Sequence, residues 1–205
     1  KGGGIAKAAG NTPMETLILS DVLGDDISMI ASGPTSPDET TFTDAKNIIQ
    51  KYDLEEKVPE AIMAVINDGL NGEILETMKT GAHILSNKNS HIVGSLDRAV
   101  WSAKEQAEML GLNTQVISTF LSGEAREVGR VSGTILKTLI ETDLVLERPA
   151  LVLGGGETTV TLTGNGKGGR NQEIAFGAMG EVDGLRACAI VAFATDGEDG
   201  PTDAA

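Results

Sequence analysis

The sequence has 205 residues but only one cysteine, Cys188, which excludes a disulfide within the chain. This cysteine lies inside the apolar run ACAIVAFA, a context that predicts a buried strand position rather than a reactive thiol. Such cysteine usage is typical of a reducing compartment, so we expect a cytoplasmic protein. No apolar run approaches the roughly 20 residues of a membrane span and no signal peptide is recognisable, so we expect no membrane partner.

Aromatic and basic residues are also scarce. Aromatics make up 3% of the chain, whereas glycine accounts for 26 residues, which favours aliphatic strands joined by glycine-rich loops. Lysine and arginine number 16 against 30 acidic residues, and the resulting net charge of −14 argues against nucleic acid as a partner. A small anion remains compatible because it responds to local charge and backbone dipoles.

Strands and helices alternate regularly from about residue 80 onward. The patterns predict strands at 82–86, 113–119, 150–154, 158–163 and 186–195 and helices at 95–111, 122–142 and 170–180. The earlier part of the chain carries an apolar run at 17–20 and two predicted helices, at 42–54 and 58–81. Candidate N-caps are Thr41 or Thr43 for the first of these helices and Ser122 for the helix at 122–142.

This alternation predicts an α/β fold with a mostly parallel sheet. Ligands of such folds bind beyond the carboxyl ends of the strands. The polar loops that follow residues 20, 153 and 195 are therefore the candidate functional segments.

The segment GGGETT places three glycines, Gly154, Gly155 and Gly156, directly before Glu157. Glycines permit positive φ angles and let a ligand approach the backbone N–H groups closely. Two interpretations of Glu157 stay open at this point: a solvated residue of a tight turn, or a carboxylate that binds a metal or a substrate hydroxyl.

The segment TGNGKGGRNQE leads from flexible glycines directly into a helix, whose N-terminus offers free N–H donors and a positive dipole end to an anion. A glycine-rich hairpin tip explains the first half of the segment equally well. It does not explain the arginine at the start of the helix. A planar guanidinium suits phosphate, which favours the anion site. The residues that we expect at this anion site are Lys167, Gly168, Gly169, Arg170, Asn171 and Gln172.

Gly164, Gly166 and Gly169 also satisfy the dinucleotide fingerprint G-x-G-x-x-G, and Asp196 ends the next predicted strand. We discount this match because the run at 158–163 alternates like a surface hairpin, whereas the fingerprint follows a buried parallel strand. Asp196 also lies 27 residues after Gly169, which is far for a ribose-binding acid. The sequence contains no P-loop pattern.

Acidic residues cluster in two loops. The first follows the predicted strand at 186–195 and contains Asp196, Glu198, Asp199 and Asp203; the second, SDVLGDD, contains Asp21, Asp25 and Asp26. An acidic loop at a strand's carboxyl end, opposite a basic glycine loop, fits Mg²⁺ bound together with a nucleotide. A solvated acidic turn is the alternative.

Four segments in this order resemble the class II glycerate kinases, which combine a glycerate-kinase N-terminal domain with a MOFRL domain. They are LILSDVLGDDISMIASGPTSPDETTF, SGEAREVG, GGGETTVTLTGNGKGGRNQE and ATDGEDGPTDAA. The resemblance implies two α/β domains with Rossmann-like sheets and a cleft between them. It places the end of the first domain at residues 1–79 and the second at 80–205, with the MOFRL region from about residue 149. Because family members run to roughly twice this length, we expect a fragment cut at both ends.

The resemblance further implies transfer of a phosphoryl group from ATP to D-glycerate with Mg²⁺, usually at the 2-hydroxyl. By motif, the catalytic residues would be Arg170, Glu157 and Asp196, with Asp196 and Asp199 at the metal. The glycines 154–156, the anion-site residues listed above, and Asp21 and Asp25 would bind substrate or nucleotide. An NAD(P)H-dependent hydroxypyruvate reductase and a non-catalytic binding fragment are the alternatives, and a homodimer is one assembly that the sequence leaves open.

Overall fold

The computed structural model describes residues 1–142, 146–200 and 202, so Asp203 lies outside the described residues. The chain divides into two compact units, Lys1–Val93 and Gly94–Ala205. In the part of the chain described, no helix is both long and apolar enough to cross a membrane.

The first unit contains three helices and two strands that form a two-stranded sheet. In chain order these are α1 (Gly4–Ala8), β1 (Met14–Leu19), α2 (Phe42–Lys51), α3 (Glu60–Leu70) and β2 (Lys88–Gly94), with 3-10 turns at Ile30–Ser32 and His83–Leu85. The strand predicted at 82–86 is therefore wrong, because this segment contains the second 3-10 turn and the strand begins at Lys88. Since β2 pairs with β1, it belongs to the first unit. The domain limits at 79 and 80 stay a prediction.

Local capping explains where the helices of this unit begin and end. Thr41 accepts a hydrogen bond from the backbone N–H of Asp44, whose side chain accepts one in return, so that Thr41 is the N-cap of α2. Helix α3 ends at Leu70, because Gly72 adopts a left-handed φ of 79°. The helix predicted to reach residue 81 is therefore shorter, and Leu75, which lies within the predicted span, is 79% exposed.

The second unit alternates helices and strands, which confirms the predicted α/β class. Its elements are α4 (Leu96–Met109), β3 (Asn113–Glu124), α5 (Ala125–Glu141), β4 (Ala150–Thr159) and α6 (Arg170–Val182). Strands β3 and β4 are parallel, in a register that runs from Asn113 opposite Ala150 to Glu124 opposite Thr159. Ser95 caps α4 as a serine before a helix commonly does. Ser122, the predicted cap of α5, lies within β3 instead.

Helices α5 and α6 pack closely through glycines. A Cβ atom placed on Gly129 would lie 2.1 Å from the carbonyl oxygen of Ile174, and one on Gly177 would lie 2.3 Å from that of Arg126. Gly133 faces α6 in the same way, with Ala178 and Glu181 as its neighbours. The absence of side chains at these glycines thus permits the approach that fixes α6 against α5.

The strands predicted at 158–163 and 186–195 are wrong. Strand β4 ends at Thr159, so residues 160–163 are not part of a strand or of a hairpin. Residues 186–195 form no strand, and Val191 and Phe193 are 78% and 72% exposed. Cys188 is half-buried and free, outside any strand. A strand requires a hydrogen-bonding neighbour, and no described segment pairs with 186–195.

Candidate functional site

The site is built at the carboxyl edge of the parallel pair β3 and β4. Parallel strands end at the same edge of a sheet, and here their last residues, Glu124 and Thr159, lie opposite each other in the register. Helix α5 begins directly after β3, whereas a ten-residue loop, 160–169, connects β4 to α6. The edge therefore gathers the start of two helices and one long glycine-rich loop.

Arg170 and Glu157 meet at this edge, as an ion pair between the first residue of α6 and strand β4. One guanidinium nitrogen, Nη1, donates to Oε1 of Glu157 and also to the carbonyl oxygen of Thr158 at 3.4 Å. The two side chains are 46% and 54% exposed. An ion pair this exposed contributes little to stability, but it leaves both charged groups open to a ligand.

Asp199 caps the start of α6. Its Oδ1 accepts hydrogen bonds from the backbone N–H of Asn171 at 2.8 Å and from the side-chain amide of the same residue at 3.1 Å. Its Oδ2 accepts from the backbone N–H of Gln172 at 3.0 Å. The residue is only 6% exposed, so this carboxylate is held in the protein and not in solvent.

The electrostatics of Asp199 follow from this position. Burial raises the pKa of its carboxyl, but the backbone N–H groups of Asn171 and Gln172, the Asn171 side chain and the charge of Arg170 outweigh burial. The net result is a pKa below the ordinary value for aspartate. Asp199 is therefore a carboxylate at neutral pH, and it carries the negative charge that the dipole of α6 favours.

The two backbone N–H groups taken by Asp199 change the expected anion site. We predicted that the free N–H donors at the helix N-terminus bind an anion, but those of Asn171 and Gln172 already have a carboxylate partner. The side-chain amide of Gln172 also donates to Oγ1 of Thr202 at 3.3 Å. Anion binding at this helix start, whether by the cations Arg170 and Lys167 or by Asn171 and Gln172, therefore stays a prediction.

The loop 160–169 is anchored at both ends and open in the middle. At its start, the carboxylate of Glu124 accepts from the backbone N–H and the hydroxyl of Thr161, both at 3.0 Å. At its end, a Cβ on Gly169 would lie 2.0 Å from the carbonyl oxygen of Asp199. Between these anchors Gly164 and Gly166 have open space around them. Lys167 is exposed and has no ion pair or hydrogen bond among the described residues.

Sequence reasoning missed the role of Glu124. An acid in the first turn of a helix favours the dipole in any case, so its position alone carried no functional signal. The available signal was the SGEAREVG motif, which sits where β3 ends. Its contact with Thr161 joins residues 37 positions apart, a distance that no local pattern reports.

The three glycines of GGGETT have a structural explanation. They lie inside β4, and none adopts a positive φ angle, contrary to our expectation. A Cβ on Gly156 would lie 1.9 Å from the carbonyl oxygen of Leu121, and one on Gly155 would lie 2.9 Å from Val100. Gly154 likewise faces the Leu121 side chain at 2.7 Å. Packing against β3 and α4 therefore accounts for all three, and their contact with a ligand stays a prediction.

The remaining predicted residues are acids in loops. Asp196 is exposed, and its Oδ1 accepts from the backbone N–H of Glu198 at 3.1 Å. Asp21 and Asp25 lie in the loop after β1, within the first unit, where Asp21 is exposed and Asp25 adopts a φ of 58°. Their neighbour Asp26 instead accepts from the backbone and hydroxyl of Ser28.

The donor set allows a partial fit for Mg²⁺. Within the described residues, no group of three or more acidic, histidine or cysteine side chains could hold a metal ion. Mg²⁺ needs only one or two carboxylates when phosphate and water supply the other ligands. Asp196 fits that role because its carboxylate is exposed. Asp199 fits it less well, because it is only 6% exposed and its two oxygens together accept three N–H hydrogen bonds.

These features define an α/β protein with an exposed arginine and carboxylate at the carboxyl edge of a parallel sheet. Two family models match the chain: Domain of unknown function (DUF4147) over residues 1–67 and the MOFRL family over residues 150–205. The glycerate 2-kinase of Pyrococcus horikoshii is 45% identical over 206 aligned residues, covering 100% of this chain and 46% of that protein. The D-glycerate 2-kinase of Thermotoga maritima is 40% identical over 207, covering 100% and 46%.

A solved structure agrees with these relatives. The crystal structure of a glycerate kinase from Thermotoga maritima matches 100% of this chain and 46% of its own, with a TM-score of 0.82 at 40% identity. Together the matches confirm the resemblance to the glycerate kinase family that the four motifs indicated. The chain spans about half the length of the curated relatives it matches.

Proposed function

We propose that this protein is an ATP-dependent glycerate kinase of the cytoplasm, which transfers the γ-phosphoryl group of ATP to D-glycerate and yields 2-phosphoglycerate. The observation that carries the proposal is the exposed pair Arg170–Glu157 beside an open glycine loop. This pair occurs in a chain that resembles proteins named glycerate 2-kinase over its whole length.

Phosphoryl transfer needs positioning and charge stabilisation more than covalent chemistry by the protein. The guanidinium of Arg170 uses one nitrogen for its two contacts, and in the part of the chain that the structure describes its other N–H groups have no hydrogen-bond partner. These donors match the oxygens of a transferring phosphoryl group, whose charge Arg170 would neutralise. Lys167, which is exposed in the loop 160–169, would add a second positive charge.

Glu157 supplies the carboxylate for the acceptor. In our proposal it accepts a hydrogen bond from the glycerate hydroxyl and receives its proton as the new O–P bond forms and the bond to the ADP oxygen breaks. Its contact with Arg170 holds the two groups on the same edge of the sheet. Mg²⁺, when bound with ATP, would neutralise phosphate charge, and Asp196 is the residue that we propose to hold it.

The decisive experiment compares two reactions catalysed by the complete gene product. One assay follows ADP release with D-glycerate, ATP and Mg²⁺; the other follows NAD(P)H oxidation with hydroxypyruvate. We expect ADP release alone, and phosphorus NMR should identify the product as 2-phosphoglycerate. NAD(P)H oxidation without ADP release would favour the reductase, and ligand binding without either reaction would favour a non-catalytic binding module.

The role of Arg170 is tested by Arg170→Ala and Arg170→Lys, with Arg130→Ala as a matched control. Arg130 forms an exposed ion pair with Glu127 on α5, so its removal also costs an arginine–glutamate contact of the second unit. We expect Arg170→Ala to lower kcat by about two orders of magnitude or more, with only partial recovery in the lysine variant because lysine cannot bind two oxygens with one planar group. Arg130→Ala should leave kcat unchanged. Near-normal turnover of Arg170→Ala would contradict the assignment.

A further inference from the structure

Asp199 connects two loops that the sequence treats as separate candidate segments. It lies in the acidic loop after residue 195, yet its carboxylate is bound to the N-terminus of α6, at the end of the glycine loop. These contacts join residues 27 and 28 positions apart. The acidic loop and the helix start therefore form one packed structure.

The backbone packs as tightly as the side chain. A Cβ on Gly169 would lie 2.0 Å from the carbonyl oxygen of Asp199 and 2.4 Å from its Cγ, so no other residue fits at Gly169 without moving that loop. Gly169 immediately precedes Arg170. The backbone from which the Arg170 side chain extends is thus held on one side by Asp199 and on the other by the helix.

We propose that Asp199 is a positioning residue, which fixes the start of α6 and thereby holds the Arg170 guanidinium at the carboxyl edge of the sheet. This inference rests on the proposed phosphoryl transfer and assigns Asp199 a role other than metal binding. Both of its oxygens face backbone N–H groups in a site only 6% exposed. A ligand to an exposed Mg²⁺ would need at least one oxygen directed to solvent.

The test uses Asp199→Ala and Asp199→Asn in the complete gene product, with Ser95→Ala as a matched control. Ser95 caps α4 in the same unit through an N–H of Arg98, so its removal costs a helix N-cap away from Arg170. Asparagine keeps one acceptor oxygen and is a good N-cap, but its amide NH₂ cannot accept from the second backbone N–H. Asp199→Asn should therefore recover only part of the kcat that Asp199→Ala loses.

Four measurements distinguish the possible roles: hydrogen–deuterium exchange, kcat, the Mg²⁺ requirement and thermal stability. Hydrogen–deuterium exchange should become faster at residues 170–173 in Asp199→Ala, whether or not the protein is an active kinase. In the kinase assay, kcat of Asp199→Ala should fall by about tenfold to a hundredfold, while the Mg²⁺ concentration for half-maximal activity stays unchanged. Ser95→Ala should lower the thermal stability by as much as Asp199→Ala does, but its kcat should equal that of the unmodified protein.

Each contrary result overturns the inference in a recognisable way. A higher Mg²⁺ requirement in both Asp199 variants would identify a metal ligand. Equal kcat in Asp199→Ala and Ser95→Ala would show that the hydrogen bonds of Asp199 serve stability alone. Unchanged exchange at residues 170–173 would show that Asp199 does not hold the start of α6. If the unmodified protein releases no ADP, the proposed function fails together with this role. The exchange result still reports whether Asp199 holds the start of α6.

Discussion

The glycine contact between α5 and α6 yields a quantitative prediction. In Gly129→Ala the added Cβ would lie 2.1 Å from the carbonyl oxygen of Ile174, whereas ordinary contacts begin at 3.4 Å. The obstructing atom is backbone, so the clash cannot be relieved by a side-chain rotation. The helices would have to separate by roughly 1 Å in an interior that is packed as densely as a crystal.

The magnitude follows from two opposing effects. Overpacking costs about 1–3 kcal/mol, and alanine regains about 1 kcal/mol over glycine inside a helix. Because the obstructing atom is backbone, we use the upper end of the overpacking range and expect Gly129→Ala to destabilise the protein by about 2 kcal/mol. Gly180→Ala is the matched control, because Gly180 lies in α6 with open space around it and only the propensity gain of about 1 kcal/mol applies.

The assay is a urea titration followed by the fluorescence of Trp101. Trp101 is the only tryptophan in the sequence and lies in α4 of the second unit, so it reports on the unit that contains both glycines. The two variants should shift the unfolding midpoint in opposite directions. Equal stabilisation by both substitutions would refute the close approach of α5 and α6, and with it our account of how α6 is held.

Two further predictions concern the loop and acid pH. Trypsin should cleave first after Lys167, faster still in Glu124→Ala because Thr161 loses its anchor, and a Lys167→Gln variant should abolish that cut; slow cleavage there on peptide mapping would contradict an open loop. Because the folded-state pKa of Asp199 lies below its ordinary value, its ionised form stabilises the protein above the unfolded-state pKa, and this contribution is lost as pH falls through the folded-state pKa. The stability difference between the unmodified protein and Asp199→Asn in urea titrations should therefore shrink in acid below about pH 4, and a difference that grows there would oppose the assignment.

Local sequence determined the elements whose signals lie within a few residues. The threonine before α2 predicted where that helix begins, and Gly111, at a φ of 83°, follows the end of α4. The arginine at the start of α6 was likewise visible, because the glycine run and the helix that follows it are adjacent in the chain. Capping and turn chemistry act over one or two turns, so the sequence alone displays them.

Tertiary structure decided the parts that depend on distant neighbours. The glycines of GGGETT suggest a turn that a ligand could approach closely, but they lie in β4, where Leu121 and Val100 pack against them. The apolar run at 186–195 was read as a buried strand, yet no described segment supplies its hydrogen bonds.

The charged residues show the same division. The sequence predicted that the acidic loop after residue 195 lies opposite the basic glycine loop. Only the fold shows that one of its acids, Asp199, accepts hydrogen bonds from the backbone N–H groups at the start of α6. Composition determines which groups are available, since charge and hydrogen-bonding capacity belong to each side chain by itself. Which group meets which is set by contacts between residues far apart in the chain, because the free energy of such a contact depends on the packing that brings the two together.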